Sequence, residues 1–127
     1  MFKVTKAISS FSVDNLAKAR KFYSEKLGIN VSEEPQMKGM LYLNIGEGSK
    51  VMLYEKPNHT PATFTVLNFP VKDVESTVDD LAGKGIRFEQ YDGELKTDKK
   101  GIFHGGGPKI AWFKDPAGNI ISVVEEK

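Results

Sequence analysis

The chain has 127 residues, 39% apolar and 28% charged, with a net charge of +1 from 18 basic and 17 acidic side chains. This is the composition of one ordinary globular domain, and it offers no clustered positive field for a nucleic acid or an anionic membrane. The absence of cysteine excludes disulfide scaffolds, thiolate metal sites and a cysteine nucleophile. No apolar stretch has signal-peptide character or the roughly 20 residues of a membrane span, so we expect a cytoplasmic protein.

The first half of the sequence alternates strand and helix signals. Apolar alternation predicts a strand over 7–13, and Asp14 or Asn15 can cap a helix that ends at Gly28. A short strand over 29–33 follows, and then a hairpin of strands 40–45 and 50–54. Residues 56–62 contain two prolines and no periodicity, which predicts a linker.

The second half repeats this order. The patterns predict a strand over 63–71, a helix from Val74 to about Gly83, and a strand over 86–90. A long glycine-rich insert over 92–108 comes next. The final hairpin pairs strands 110–114 and 119–124 through the turn Asp115-Pro116-Ala117-Gly118.

Two landmarks in each half show that the structural plan occurs twice. The residue before the helix entry is Val13 and then Val71, an offset of 58, and the hairpin glycine is Gly48 and then Gly118, an offset of 70. The difference of about a dozen residues falls in the polar part of the insert. We therefore predict an α+β fold of two tandem βαβββ modules, about 1–56 and 63–127, in a single domain. Each helix covers one sheet face, and the curled mixed sheet leaves a cleft on the other.

This order resembles the vicinal oxygen chelate superfamily, which includes lactoylglutathione lyase, bleomycin-resistance proteins and ring-cleaving dioxygenases. The resemblance covers essentially the whole chain and is carried by the helix entries, the Phe22-Tyr23 and Leu27-Gly28 pairs, and the Asp115-Pro116-x-Gly118-Asn119 turn. It implies a site in the cleft and a homodimer. It does not imply one activity, because this fold hosts several.

The resemblance also implies four positions at which the enzymes of the family hold a divalent metal with His, Gln or Glu. In this sequence they are Ile8, Met52, Val66 and Ser122. Aliphatic and thioether side chains with a single hydroxyl cannot neutralise or coordinate such a cation, and the neighbouring positions are no better. We predict that the chain has no metal and no other cofactor.

Other residues of the predicted cleft suggest a binding pocket. Trp112 and its repeat equivalent Tyr42 can flank a flat apolar ligand. Ser10 and Asn68 are matched polar positions on the two first strands. His104 precedes three glycines and a proline, a segment suited to a lid, whereas His59 is expected to be an exposed loop residue. The predicted ligand-binding residues are Ser10, Tyr42, Met52, Tyr54, Asn68, His104, Trp112 and Ser122.

We therefore expect a metal-free protein that binds an apolar or aromatic small molecule, in a resistance, sequestration or sensing role. One alternative is a glyoxalase-like lyase or isomerase acting through residues of the insert, namely Asp92, Glu94, Asp98 and His104. A second alternative is a structural or interaction role as a homodimer. No nucleic-acid or membrane partner is expected.

The metal hypothesis is directly testable. Calorimetric titration with Zn²⁺, Ni²⁺ and Mn²⁺ is expected to show no stoichiometric binding tighter than micromolar, because the four positions lack charged or imidazole donors. Stoichiometric binding above that affinity would contradict the prediction.

Overall fold

Each half of the chain folds as a four-stranded mixed sheet with a helical segment packed on one face. The computed structural model describes residues 1–126 and contains two compact units, Met1–Thr60 and Pro61–Lys127. The predicted α+β class and the tandem βαβββ order are confirmed.

In the first unit, strand β1 pairs in parallel with β4, and β4, β3 and β2 follow in antiparallel order. Between β1 and β2 the helix begins as an α-helix and continues as a π-helix. The elements are β1 (Ser9–Val13), α1 (Leu16–Lys21), the π-helical segment (Phe22–Lys26), β2 (Asn30–Glu33), β3 (Met40–Ile45) and β4 (Ser49–Glu55).

The second unit repeats this topology, with β5 parallel to β8 and the order β5-β8-β7-β6 across the sheet. Its elements are β5 (Thr65–Val71), α2 (Val74–Gly83), a 3₁₀ turn (Gly93–Leu95), β6 (Ile102–Phe103), β7 (Ile110–Lys114) and β8 (Ile120–Glu125).

Side chains of alternating strand positions form the core of each unit together with the helix. In the first unit the buried positions include Leu41, Leu43 and Leu53 beside Tyr23. The second unit buries Phe113, Ile121 and Val123 beside one stripe of α2, formed by Val74, Val78 and Leu81. The period of two along the strands and of 3.6 along the helix explains why these residues meet on one side of each sheet.

Both helices begin with the same two contacts. Asn15 Oδ1 accepts the amide of Lys18 at 2.9 Å, and Asp73 Oδ1 accepts the amide of Ser76 at 3.2 Å. A glutamate from the last strand of the same unit caps the first helical residue: Glu55 accepts from Leu16 at 2.8 Å, and Glu125 accepts from Val74 at 3.1 Å. These carboxylates satisfy amides that have no partner within the helix and complement its positive end.

The predicted strand over 86–90 is wrong. Only an isolated bridge pairs Phe88 with Phe113, while the fourth strand of this sheet is β6, within the predicted insert, where Ile102 faces Ala111. Phe113 and Ala111 are two residues apart on β7, whereas their partners Phe88 and Ile102 are fourteen residues apart in the chain. The dozen extra residues form an excursion over 90–101 that interrupts an edge strand, a place where lost pairing disrupts only one neighbour.

The β7–β8 turn is held by a buried carboxylate. Asp115 Oδ1 accepts the amides of Ala117 and Asn119 at 2.9 Å each, and Oδ2 accepts Nδ2 of Asn119 at 3.0 Å. Gly118 has φ +85°, a left-handed conformation that favours glycine. These contacts explain why the turn requires Asp, Gly and Asn at their positions.

Among residues 1–126, no helix is long and apolar enough to cross a membrane.

Replacing Asp115 tests the importance of this turn. Asp115→Ala is expected to lower the free energy of unfolding by about 3 kcal/mol, because buried amide groups lose their acceptor. Urea denaturation measures the change, with Asp92→Ala at an exposed position as control, expected within about 0.5 kcal/mol of the parent. Equal stability of the two variants would contradict this account.

Candidate functional site

The four predicted site residues of the first unit share one sheet face. Ser10 lies beside Met52 on β4, and Met52 lies beside Tyr42 on β3, which makes one row across three strands. Tyr54 follows Met52 by two positions and therefore points to the same side. The core leucines of β3 and β4 point to the other side, so these four residues lie on the face that the helix does not cover.

His59 is placed differently from the expectation of an exposed loop residue. It is half-buried, and its Nδ1 lies 2.6 Å from Oγ of Ser12. Ser12 is on the Ser10 face of β1, next to Tyr54. The hydrogen bond between His59 and Ser12 therefore connects the segment after β4 to strand β1.

A matching row crosses the second sheet. Asn68 lies beside Ser122, and Ser122 lies beside Trp112. Ser122 is fully buried, and its hydroxyl donates to Oδ1 of Asn68 at 2.6 Å. The Ser122 hydroxyl and the Asn68 side-chain carbonyl, the two polar groups of this row, thus form a hydrogen bond with each other.

The four positions at which the resemblance implies a metal offer poor donors in the structure as well. Ile8 precedes β1 and is 40% exposed. Val66 lies at a shift in strand register, and the Ser122 hydroxyl is engaged with Asn68. Within residues 1–126, no three His, Asp or Glu side chains come together to hold an ion. The donor set does not fit a divalent cation.

A groove of about 680 Å³ lies on the open face of the second sheet. Its floor is formed by Trp112, Lys114 and Ile120, and the chain before β5 and the excursion supply its sides. The residues that line it are Pro61, Ala62, Thr63, Phe64, Thr65, Glu89, Tyr91, Leu95, Trp112, Lys114, Gly118 and Ile120. Of the eight predicted residues, Trp112 alone belongs to this lining.

Aromatic rings surround Trp112. The Tyr91 ring meets it edge-on with centroids 5.5 Å apart, and the Phe103 ring lies 6.0 Å away at a tilt. Phe103 packs against the backbone of Gly105 so closely that any Cβ there would collide with its ring. Gly105, the first glycine after His104, therefore leaves room for an aromatic neighbour of Trp112.

The groove holds one pair of opposite charges. Nζ of Lys114 lies 3.6 Å from a carboxylate oxygen of Glu89, which is beyond hydrogen-bond range. Burial, and then the negative charge of Glu89, raise the pKa of Tyr91. Like an ordinary tyrosine, with a pKa of about 10, the phenol is neutral near pH 7, and it can donate or accept a hydrogen bond.

Thr97 and Asp98 hold the excursion that carries Tyr91 and Leu95. Thr97 Oγ1 accepts the amide of Tyr91 at 2.9 Å. Asp98 Oδ1 accepts the amides of Lys100 and Ile102 at 2.9 Å each, and its Oδ2 lies 2.8 Å from Nε2 of His104. His104 thus lies in the base of the excursion and does not line the groove.

Sequence reasoning missed most of the groove. Phe64, Glu89, Tyr91, Leu95 and Lys114 were not among the predicted site residues. One signal was available in the sequence: Leu95 stands among the polar and charged residues 92–100, and in the structure it is 50% exposed in the groove lining. Apolar residues in an otherwise polar insert are candidates for a binding surface.

The contacts of Asp98 predict a pH dependence. Burial opposes ionisation of this carboxyl, but the hydrogen bonds from Ile102, His104 and Lys100 prevail and lower its pKa. Its carboxylate therefore stabilises the folded chain above the pKa of unfolded aspartate, about 3.9, and this contribution disappears as the pH falls through the lower pKa of the folded state.

Urea denaturation of the parent and of Asp98→Asn across a pH series measures this contribution. The parent is expected to be the more stable above about pH 5, with a difference that shrinks below about pH 4. Asp92→Asn removes a charge from the same excursion and controls for net charge. A difference that does not change with pH would contradict the assignment.

Comparisons with known proteins agree with this architecture. The family model described as Glyoxalase/Bleomycin resistance protein/Dioxygenase superfamily matches residues 7–123. A comparison with proteins of curated function gave no match.

Solved structures show the same fold. The antibiotic binding protein TnmS3 from Streptomyces sp. CB03234 is 22% identical, with a TM-score of 0.68 over 99% of this chain and 100% of its own. The fosfomycin resistance protein FosX from Listeria monocytogenes is 12% identical, with a TM-score of 0.70 over 99% and 96%. A glyoxalase/bleomycin resistance protein from Catenulispora acidiphila is 18% identical, with a TM-score of 0.66 over 98% and 100%. At these identities the likeness concerns the fold. The family match and the repeated βαβββ architecture show that the chain belongs to the glyoxalase/bleomycin resistance protein/dioxygenase superfamily.

Proposed function

We propose that the chain binds an apolar, planar small molecule in the groove of the second sheet, without a metal ion or other cofactor. The observation that carries this proposal is the position of Trp112 on the groove floor with Tyr91 edge-on beside it. A volume of about 680 Å³ lies in the range of small-molecule sites, which are mostly apolar with a few polar groups.

The polar chemistry of the groove favours binding over catalysis. Its ionisable side chains are Glu89, Tyr91 and Lys114. The glutamate already faces the lysine, and the phenol, whose ordinary pKa of about 10 is raised further here, is protonated near neutral pH. The acid and base of the described groove, Lys114 and Glu89, face each other as an ion pair, an arrangement that supports charge recognition of a ligand more than proton transfer.

Two of the four insert residues in the alternative enzyme hypothesis, Asp98 and His104, make structural contacts. Both oxygens of Asp98 have partners, and one of them is His104. None of Asp92, Glu94, Asp98 and His104 lines the groove. These contacts favour a structural role for Asp98 and His104, which hold the excursion that carries Tyr91 and Leu95.

Two similar folds belong to proteins whose names denote antibiotic binding and fosfomycin resistance. They support a role for this chain in sequestration, sensing or resistance toward a small molecule. As expected from the sequence, we also propose that the chain acts as a homodimer in the cytoplasm and has no nucleic-acid partner.

Substitution of Trp112 tests the proposed groove. A thermal-shift screen of planar aromatic compounds identifies ligands, and Trp112→Leu is expected to weaken their binding about tenfold in calorimetry, because stacking area is lost. Phe2→Leu alters an exposed ring, at 88% exposure, that does not line the groove, and it should leave the affinity unchanged. Equal affinities of the parent and Trp112→Leu would refute the groove as the site.

A further inference from the structure

The charges of the groove suggest which aromatic compounds it selects, an inference that rests on the proposed function. Glu89 and Lys114 differ in how firmly they are placed. The glutamate side chain is 26% exposed and the lysine side chain 49%, and the 3.6 Å between their charged atoms leaves the pair loose. Such an exposed pair contributes little to stability, so a ligand can displace one member at low cost.

Both backbones are held at the sheet, Lys114 within β7 and Glu89 beside it, but its shorter and less exposed side chain makes Glu89 the more firmly placed partner. Its amide donates to the carbonyl of Trp112 at 2.8 Å, at the bridge that continues the edge of β7. Among residues 1–126, no group donates a hydrogen bond to its carboxylate, while Lys114 approaches it at ion-pair distance. Lys114, by contrast, extends a long flexible side chain whose ammonium is readily hydrated in solvent.

The rings beside Glu89 favour the same sign of charge. Tyr91 lies close enough for the Glu89 charge to raise the pKa of its phenol, after the larger effect of burial. Its ring meets Trp112 at 5.5 Å. The faces of aromatic rings attract cations and repel anions, and this attraction grows when the cation is partly desolvated.

These features together favour one chemical class. An ammonium group beside the rings would replace Lys114 as the partner of Glu89 and gain the attraction of the ring faces. A carboxylate at the same place would meet the Glu89 charge and the negative ring faces. We infer that the groove selects planar aromatic compounds that carry a protonated amine over neutral or anionic compounds of the same shape.

The sole tryptophan provides a direct readout. Trp112 is the only tryptophan of the chain, so the indole N–H gives a single resonance in a ¹⁵N correlation spectrum. Titration with 2-(2-naphthyl)ethylamine, 2-(2-naphthyl)ethanol and 3-(2-naphthyl)propionate compares a cation, a neutral compound and an anion on one ring system. The amine is expected to bind about tenfold more tightly than the other two.

Two charge variants and a control locate the preference. Glu89→Gln should abolish the advantage of the amine over the alcohol, whereas Lys114→Gln should keep that advantage. Asp80→Asn removes a carboxylate from α2, on the covered side of the same sheet, and should leave the advantage unchanged.

The outcomes separate this inference from the proposed function. If all three compounds shift the indole resonance with equal affinity, or the propionate binds most tightly, the groove binds aromatic compounds and the inferred charge preference is wrong. Retention of the amine advantage in Glu89→Gln would also overturn the inference. If none of the compounds shifts the resonance, both the inference and the proposed function fail.

Discussion

In each unit the first and last strands run parallel and side by side, and the remaining elements take their places from this pairing. A parallel pair cannot be joined by a tight turn. The chain therefore leaves β1 or β5, forms the helix, crosses the sheet through two antiparallel strands and returns beside its starting strand. The helix begins where the first strand ends, and the last strand of the unit ends at the same end of the sheet, beside that point. Val13 faces Glu55, and Val71 faces Glu125.

This geometry explains the glutamate caps. A carboxylate at the end of the last strand lies within reach of the first helical amide, at 2.8 Å in one unit and 3.1 Å in the other. The two glutamates are 70 residues apart and the two capped residues are 58 apart, the same offsets as the sequence landmarks. The repeat therefore preserves a contact between distant parts of the chain as well as the order of its elements.

The two units differ most in the dozen residues added to the second. These residues leave the edge of the sheet beside Glu89 and return at Ile102. Since the excursion starts at the sheet edge, it brings Tyr91 and Leu95 next to Trp112 on the open face. Asp98 and Thr97 stabilise the base of the excursion by accepting hydrogen bonds from nearby backbone amides. The insertion thus gives the second sheet an aromatic groove, and it brings the Tyr91 ring close to Glu89, the acidic side chain among the described groove residues.

The repeat, the strand and helix order, a helix cap at Asp14 or Asn15, and the Asp115 turn could be predicted from the sequence alone, because these depend on local periodicity and on contacts between near neighbours. It also predicts that the positions at which the resemblance implies a metal carry no suitable donors, since residue type alone decides whether a side chain can be a ligand. The three-dimensional structure was needed to place the fourth strand of the second sheet at Ile102–Phe103, to pair His59 with Ser12, and to bring aromatic side chains around Trp112. These features arise from pairing between residues far apart in the chain, such as Ser12 with His59 and Phe88 with Phe113. No local pattern encodes such a pairing, because its energy exists only once the strands have come together.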